Sequence, residues 1–351
     1  MSTALETKSL ESKSLDTKSI HGEPAFRAWR RLALSQATIV AVIAAAMFLA
    51  LSIFLNGFLS PANLINLLRN VAVLGMLGIG MATVVIGRGI DLSMVAIMTV
   101  SVALLFVLVQ AGTPLFAALA LAAGAALLFG ALNGVLIAYV EIPPLFTTLA
   151  LGTMVIGLGQ HFVYNSLAVP APPGIGRLST LGVGRIAGVP LSVVLFFALA
   201  LLVHLGLRFT HQGRYLFAMG DNPAAARNAG VPMRPFIVVQ YALVGLLAFF
   251  AGLVMATAVN EMNARIVYST LPYDIILVVV IGGVGLSGGK GGMHNVIVGT
   301  LLIGILSNGM TIMDLSHTTQ KIIQSIVLLA AVIADGVMNP RDEQVAQQGD
   351  I

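Results

Sequence analysis

The sequence contains no cysteine, one tryptophan and few charges: only 9% of its 351 residues are Asp, Glu, Lys or Arg. Without cysteine there is no disulfide, no thiolate nucleophile and no cysteine-based metal site. A soluble domain carries about 25% charged residues, so the shortage of charge excludes an ordinary globular fold. Aromatic residues are scarce too, at 7%. What is present is apolar and small: 58% hydrophobic residues, 37 glycines and a mean hydropathy of +0.98. Small residues let helices approach closely in lipid, where packing must replace the hydrophobic effect. The composition is that of an all-α, polytopic integral membrane protein. Its formal net charge of +4 fits a cytoplasmic membrane face and not a nucleic-acid partner.

Residues 1–31 read as a disordered cytoplasmic tail. Leu5–Ser9, Leu10–Ser14 and Leu15–Ser19 repeat a five-residue unit that puts the leucines on no common helix face. The stretch is too polar to fold alone and lacks the apolar core and cleavage site of a signal peptide. A transmembrane domain follows over 32–338. Its apolar stretches, judged against the roughly 20 residues a crossing needs, run 32–55, 71–87, 92–112, 115–140, 145–167, 189–208, 236–259, 273–287, 293–313 and 320–338. That is ten, of which 71–87 and 273–287 are short and glycine-broken. Residues 339–351 form a cytoplasmic C-terminal tail. With the N-terminus inside, Arg27, Arg30, Arg31, Arg88, Arg208, Arg214, Arg227, Arg234, Lys290 and Arg341 fall on the cytoplasmic side. Arg69, Arg177, Arg185, Arg265 and Lys321 fall opposite, so the positive-inside bias places both termini in the cytoplasm.

One long polar interruption, 208–235, then becomes a cytoplasmic loop. Asn222 is a good N-cap, Pro223 suits the first helical position, and Gly230 fits the C′ position before Pro232. The spacing predicts a helix over Pro223–Ala229, too short to be stable alone and without an apolar stripe. Its alanines admit a close partner and Arg227 offers charge-assisted bonds. An ordinary interhelical loop with tidy caps is the competing reading.

Two glycine-rich segments flank other crossings. In Gly87-Arg88-Gly89-Ile90-Asp91-Leu92-Ser93 a carboxylate stands between apolar stretches, where a charge must face protein, water or a partner. Asp91 has three open roles: pairing with Arg88, capping the next helix, or meeting substrate. The late segment 281–292, IGGVGLSGGKGG, imitates a phosphate loop but fails it. Val284 stands where the first glycine belongs, and Gly291 follows Lys290 where Ser or Thr should bind magnesium. Glycine here suits a broken helix or tight turn. Val84-Val85-Ile86-Gly87 is also echoed by Val279-Val280-Ile281-Gly282, as expected of transporters built from repeats.

In their order, GRGIDLSMVAI, GRYLFAMGDNPAAARNAGV and GGVGLSGGKGG resemble the permease subunits of bacterial ABC importers for monosaccharides, the ribose-type branch of binding-protein-dependent permeases. The resemblance covers roughly 55–338. It departs where Met94-Val95-Ala96 replaces Val-Gly-Ser, where Asp274 survives without its usual Glu, and where Gly220-Asp221-Asn222 replaces Gly-Gly-Asn. It implies a multi-pass protein of the inner membrane that pairs with a second copy or a paralogue. It also implies a periplasmic solute-binding protein and cytoplasmic ATPase subunits as partners. The helix from Pro223 would be the coupling helix, with Gly220, Asp221, Asn222, Pro223, Ala225, Ala226, Arg227 and Gly230 as ATPase-coupling residues. Gly87, Gly89, Asp91, Ser93, Asp274, Gly282, Gly283, Gly288, Gly289 and Lys290 would form structural or gating motifs. The chain itself is then no enzyme and needs no cofactor or metal.

A small neutral solute such as a sugar or polyol needs donors and acceptors without strong fixed charge. Asn133, Gln160, His161 and Asn308 are pathway candidates, with Tyr164 and Gln324 beside them. Each also suits an interhelical hydrogen bond. An ATP-independent secondary transporter or channel is the alternative, and it would ask for carboxylates at mid-membrane that these spans lack. An intramembrane enzyme would need a nucleophile–base pair, and none stands at a fitting spacing.

Overall fold

The computed structural model describes residues 35–338, so the tail and repeat expected in 1–31 and the tail expected in 339–351 lie outside the described residues. From Gln36 onward the described chain forms one compact unit. It is mostly helical: α1 (Gln36–Phe54), α2 (Pro61–Ile86), α3 (Met94–Gln110), α4 (Leu115–Ala138) and α5 (Pro144–Leu158) come first. A π-helical turn, Gly159–Val163, extends α5. Then follow α6 (Thr180–Val183), α7 (Leu191–Phe209), α8 (His211–Asp221), α9 (Pro223–Asn228), α10 (Met233–Val259), α11 (Leu271–Gly282), α12 (Met293–Ile312) and α13 (His317–Met338).

Seven of these are long and apolar enough to cross a membrane: α1, α2, α4, α5 with its π turn, α7, α10 and α12. Three shorter apolar helices, α3, α11 and α13, accompany them. Each apolar stretch in the sequence coincides with one of these ten helices. The expectation of a short, broken helix at 71–87 is corrected: α2 is continuous over 26 residues and starts at Pro61. Its first turns are rich in asparagine, which hid them from a hydropathy reading. Ser60 nonetheless caps them, its side chain accepting from the Asn63 amide at 3.4 Å, with Pro61 at the first position. The glycines inside α2 do not break it. A Cβ on Gly78 would stand 3.1 Å from Val296 and 3.4 Å from Val278, so they mark close approach by α12 and α11.

The tightest helix pair is α4 against α10. Ala118, Ala122, Ala126, Gly130 and Gly134 form a buried stripe at four-residue spacing on α4. A Cβ on Gly130 would lie 2.9 Å from the Ala242 Cα, and one on Gly134 would lie 3.0 Å from the Ile237 carbonyl. Gly245 likewise faces the Ala126 carbonyl. Backbone therefore meets backbone. In lipid such contact supplies dispersion attraction that no hydrophobic effect provides.

The all-α expectation also needs a small correction. Two short antiparallel ladders occur between helices: β1 (Ala168–Pro170) pairs with β4 (Glu261–Asn263), and β2 (Arg185–Ile186) with β3 (Val189–Pro190). The second closes through Ala187 (φ 50°) and Gly188 (φ 85°), the two positive angles of a primed hairpin turn. These loops carry too few apolar residues for a helix to bury, and pairing satisfies their backbone groups instead.

Contacts between loops fall into two sets. In one, Gln110 donates to the Pro170 carbonyl (2.8 Å), β1 pairs with β4, Arg69 donates to Val183 (3.5 Å), and Lys321 Nζ donates to Thr270 Oγ1 (2.7 Å). In the other, the Gly289 amide donates to the Ile86 carbonyl (2.8 Å) and Arg234 pairs with Glu141 (2.6 Å). The segments at the ends of α2, α4, α10 and α11 thus sort alternately between two faces of the bundle.

The α4–α10 seam has a direct test. Gly245→Val should destabilise the protein by about 1–3 kcal/mol through overpacking, whereas Gly124→Val, with nothing within 4 Å of its Cβ, should not. Thermal unfolding of the detergent-solubilised variants checks this.

Candidate functional site

The site grows from helix ends. α2 finishes with the two bonds of a Schellman turn: Arg88 N donates to Val85 O and Gly89 N to Val84 O, each at 2.9 Å. α11 finishes the same way, with Gly283 N on Val280 O (3.0 Å) and Val284 N on Val279 O (3.1 Å). The sequence echo between 84–87 and 279–282 is therefore one turn built twice. Side-chain amides serve both: Gln240 donates to the Thr83 carbonyl at 2.8 Å and Asn295 to the Gly282 carbonyl at 2.7 Å. The left-handed position differs. It holds Gly283 (φ 98°) in one copy and Arg88 (φ 68°) in the other.

A left-handed arginine costs about 1–2 kcal/mol relative to its ordinary conformation. Here it turns the guanidinium toward α8. Arg88 Nε donates to the Gly220 carbonyl and Nη2 to the Asp221 carbonyl, each at 2.6 Å. These are the last carbonyls of α8, where the helix dipole is negative and a cation is favoured. The suggested pairing of Arg88 with Asp91 is corrected, for no hydrogen bond or ion pair joins them among the described residues. Gly288 (φ 82°) and Gly289 (φ 69°) complete the junction. A Cβ on Gly289 would lie 2.7 Å from the Asp221 amide, and one on Gly288 would strike the Arg88 side chain and the Gly220 carbonyl. A Cβ on Gly220 would in turn strike the Ile86 carbonyl and the Gly289 amide. Three segments far apart in sequence thus meet through glycine, and the late glycine run is a tight turn. Lys290 is exposed beside it.

α9 hangs from this junction. Asn222 ends α8 and caps α9, its Oδ1 accepting from the Ala225 amide at 3.0 Å. A third Schellman turn closes α9: Gly230 N on Arg227 O (2.9 Å) and Val231 N on Ala226 O (3.1 Å), with Gly230 at φ 80°. The observed helix is one residue shorter than expected. Ala226 is buried and Gly220 is buried, so these two face the protein, not a partner. Asp221, Asn222, Ala225, Arg227 and Gly230 are exposed and Pro223 is half-buried.

Asp91 lies outside that junction. Its Oδ1 accepts from the Ser93 amide (2.9 Å) and hydroxyl (2.6 Å) just before α3, and Asn133 donates to the Ser93 hydroxyl (2.7 Å). All three are buried, so the carboxylate tethers the start of α3 to α4. Burial raises the Asp91 carboxyl to about 6, against the lowering effect of the Ser93 bonds.

The pathway candidates scatter. Asn133 belongs to the Asp91 network. Gln160 is exposed and donates to the Tyr268 hydroxyl at 2.9 Å, and His161 is exposed on the π turn with its ring edge-to-face against Phe162. Tyr164 is buried. Asn308 and Asp274, by contrast, line a cavity of about 690 Å³ between α2, α10, α11 and α12. Gln324 donates to Ser307, which lines the same cavity. The sequence reading missed Asn63, Asn66 and Asn70, which also line it; their i, i+3, i+7 spacing on one helix face was the available signal.

Comparison with known proteins identifies the family. The family described as branched-chain amino acid transport system, permease component, matches residues 63–332. The ribose import permease protein RbsC of Escherichia coli (strain K12) is 32% identical over 284 residues, 79% of this chain and 87% of that protein. RbsC of Bacillus subtilis (strain 168) is 32% identical over 292 residues, covering 82% and 89%. The L-arabinose transport system permease protein AraH of E. coli (strain K12) is 31% identical over 298 residues, covering 84% and 88%. No solved structure gives a significant match. The chain therefore belongs to this family of transport-system permease components, and it is the permease subunit of an ABC importer, a multi-pass protein of the bacterial inner membrane.

Proposed function

We propose that this permease imports a neutral, hydroxyl-rich solute, a monosaccharide or related polyol, and that α9 is the element through which an ATPase partner drives it. An importer of this class works with a separate ATPase and a periplasmic binding protein, so no bond chemistry falls to this chain. Family membership removes the ATP-independent alternative. The sugar reading draws on relatives named for ribose and L-arabinose, although the family description names branched-chain amino acids.

The observation that carries the coupling role is the junction of Arg88, Gly220 and Gly289. It fixes α9 to the end of α2 and to the turn between α11 and α12, three helices that also line the cavity, while leaving Ala225 and Arg227 exposed. A push on α9 is thereby delivered to the helices that would open and close a passage. The alternation of loops between two faces supports ten crossings with both termini on the face that carries α9, and the positive-inside bias supports reading that face as the cytoplasmic one. Gly87, Gly89, Gly282, Gly283 and Gly288 act structurally here, and Asp91 with Ser93 anchors α3. A second copy or a paralogue completes the translocating unit.

Ala225→Trp and Arg227→Glu should each abolish transport and ATPase co-purification while leaving membrane insertion normal. Wild-type uptake in both would refute the role of α9. Arg88→Gly separates the guanidinium from the turn, since glycine relieves the left-handed strain. Folding should be preserved, but losing two charge-assisted bonds, worth roughly 1.5–3 kcal/mol each, should lower transport by about tenfold or more with the ATPase still bound. Uptake and pull-down assays on the same preparations read both effects, and Arg88→Lys should recover part of the loss.

A further inference from the structure

The cavity between α2 and α12 is chemically unlike the rest of the helices around it. α2 presents Asn63, Asn66 and Asn70 to it, and α12 presents Ser307, Asn308 and Thr311. Asn63 and Asn308 satisfy each other across the helices, at 2.8 and 3.0 Å. Asn66 and Asn70 are exposed, and their side-chain amides make no hydrogen bond to any described residue. Open amides at this spacing on a crossing helix are costly against lipid, so their place is against water or a solute. Arg69 and Asp274 also line the cavity, and their opposite charges leave the wall without a net formal charge.

The cavity is one-ended. From α2 it takes residues only between 63 and 74, and from α12 only between 303 and 311. Toward the Gly289 junction the same helices touch. Gly78 is within van der Waals reach of Val296 and Val278, Gly299 abuts the Val278 carbonyl, and Gly282 abuts Asn295. The volume of about 690 Å³ falls in the roughly 300–1,000 Å³ range of small-molecule sites.

We infer that this cavity is the solute-binding station of the permease, open toward the periplasm, with Asn66 and Asn70 as its free hydrogen-bonding groups for a polyhydroxy solute. The inference rests on the importer reading above and adds the place and the residues. Neutral amides that both donate and accept match hydroxyl groups, which also do both. The glycine seam of Gly78, Gly282 and Gly299 is the closed floor beneath it.

This chain has no native cysteine, so labelling read on the permease itself reports only the introduced thiol. Asn66→Cys and Asn70→Cys, each in the assembled importer in right-side-out vesicles, are exposed to a membrane-impermeant thiol reagent. Both should react from the outside, while Leu121→Cys on the exposed apolar flank of α4 stays unlabelled. D-ribose or L-arabinose at twice its Kd should slow labelling about threefold, and L-leucine should not. In uptake assays, Asn66→Leu with Asn70→Leu should raise KM by about tenfold, the scale of one or two lost neutral hydrogen bonds. Cysteines unreactive from outside, or an unchanged KM, in a complex that transports either sugar would overturn this site alone. Protection and uptake seen with L-leucine and with neither sugar would overturn the sugar reading and this inference together.

Discussion

Close approach of helix backbones is the constraint on which this structure depends. Lipid is as apolar as leucine, so burying leucine against leucine gains little, and contact density has to supply the attraction. The chain meets that demand by omitting Cβ atoms at selected points. Gly130, Gly134 and Gly245 bring α4 against α10, Gly78 and Gly299 bring α2, α11 and α12 together, and Gly220 with Gly289 closes the junction beneath them. The same device thus builds the scaffold, the floor of the cavity and the seat of α9.

These contacts also explain how one end of the molecule is tied to the other. α2 and α11 end in the same Schellman turn, and both turns lie under helices whose opposite ends face the cavity. Arg88 is the single charged group in the turn pair. Its strained backbone places a cation on the last carbonyls of α8, joining a neutral packing motif to a polar loop.

Much of this was legible in the residues. Each apolar helix left its stretch in the sequence, because lipid demands length and hydropathy before anything else. The caps of α9 were legible because Asn222, Pro223 and Gly230 act within a few residues of one another. The start of α2 was not, since Asn63, Asn66, Arg69 and Asn70 lower its hydropathy, and only the cavity they face explains their presence. The pathway candidates fared unevenly for the same reason. A polar residue in an apolar helix reports that it needs a partner, but Asn133 found one in Ser93 while Asn308 found one at the cavity wall.

By itself the sequence determined the class of protein, the number and order of apolar segments, the local turns and the family. Those properties depend on composition and on residues near one another along the chain. Only the tertiary structure decided that Arg88 serves α8 and not Asp91, that Ala226 faces inward, and that the glycines at 87–89, 220 and 288–289 form one junction. Those outcomes depend on which backbones come within contact distance across more than a hundred residues of chain, and a glycine shows that it permits such contact without showing with what.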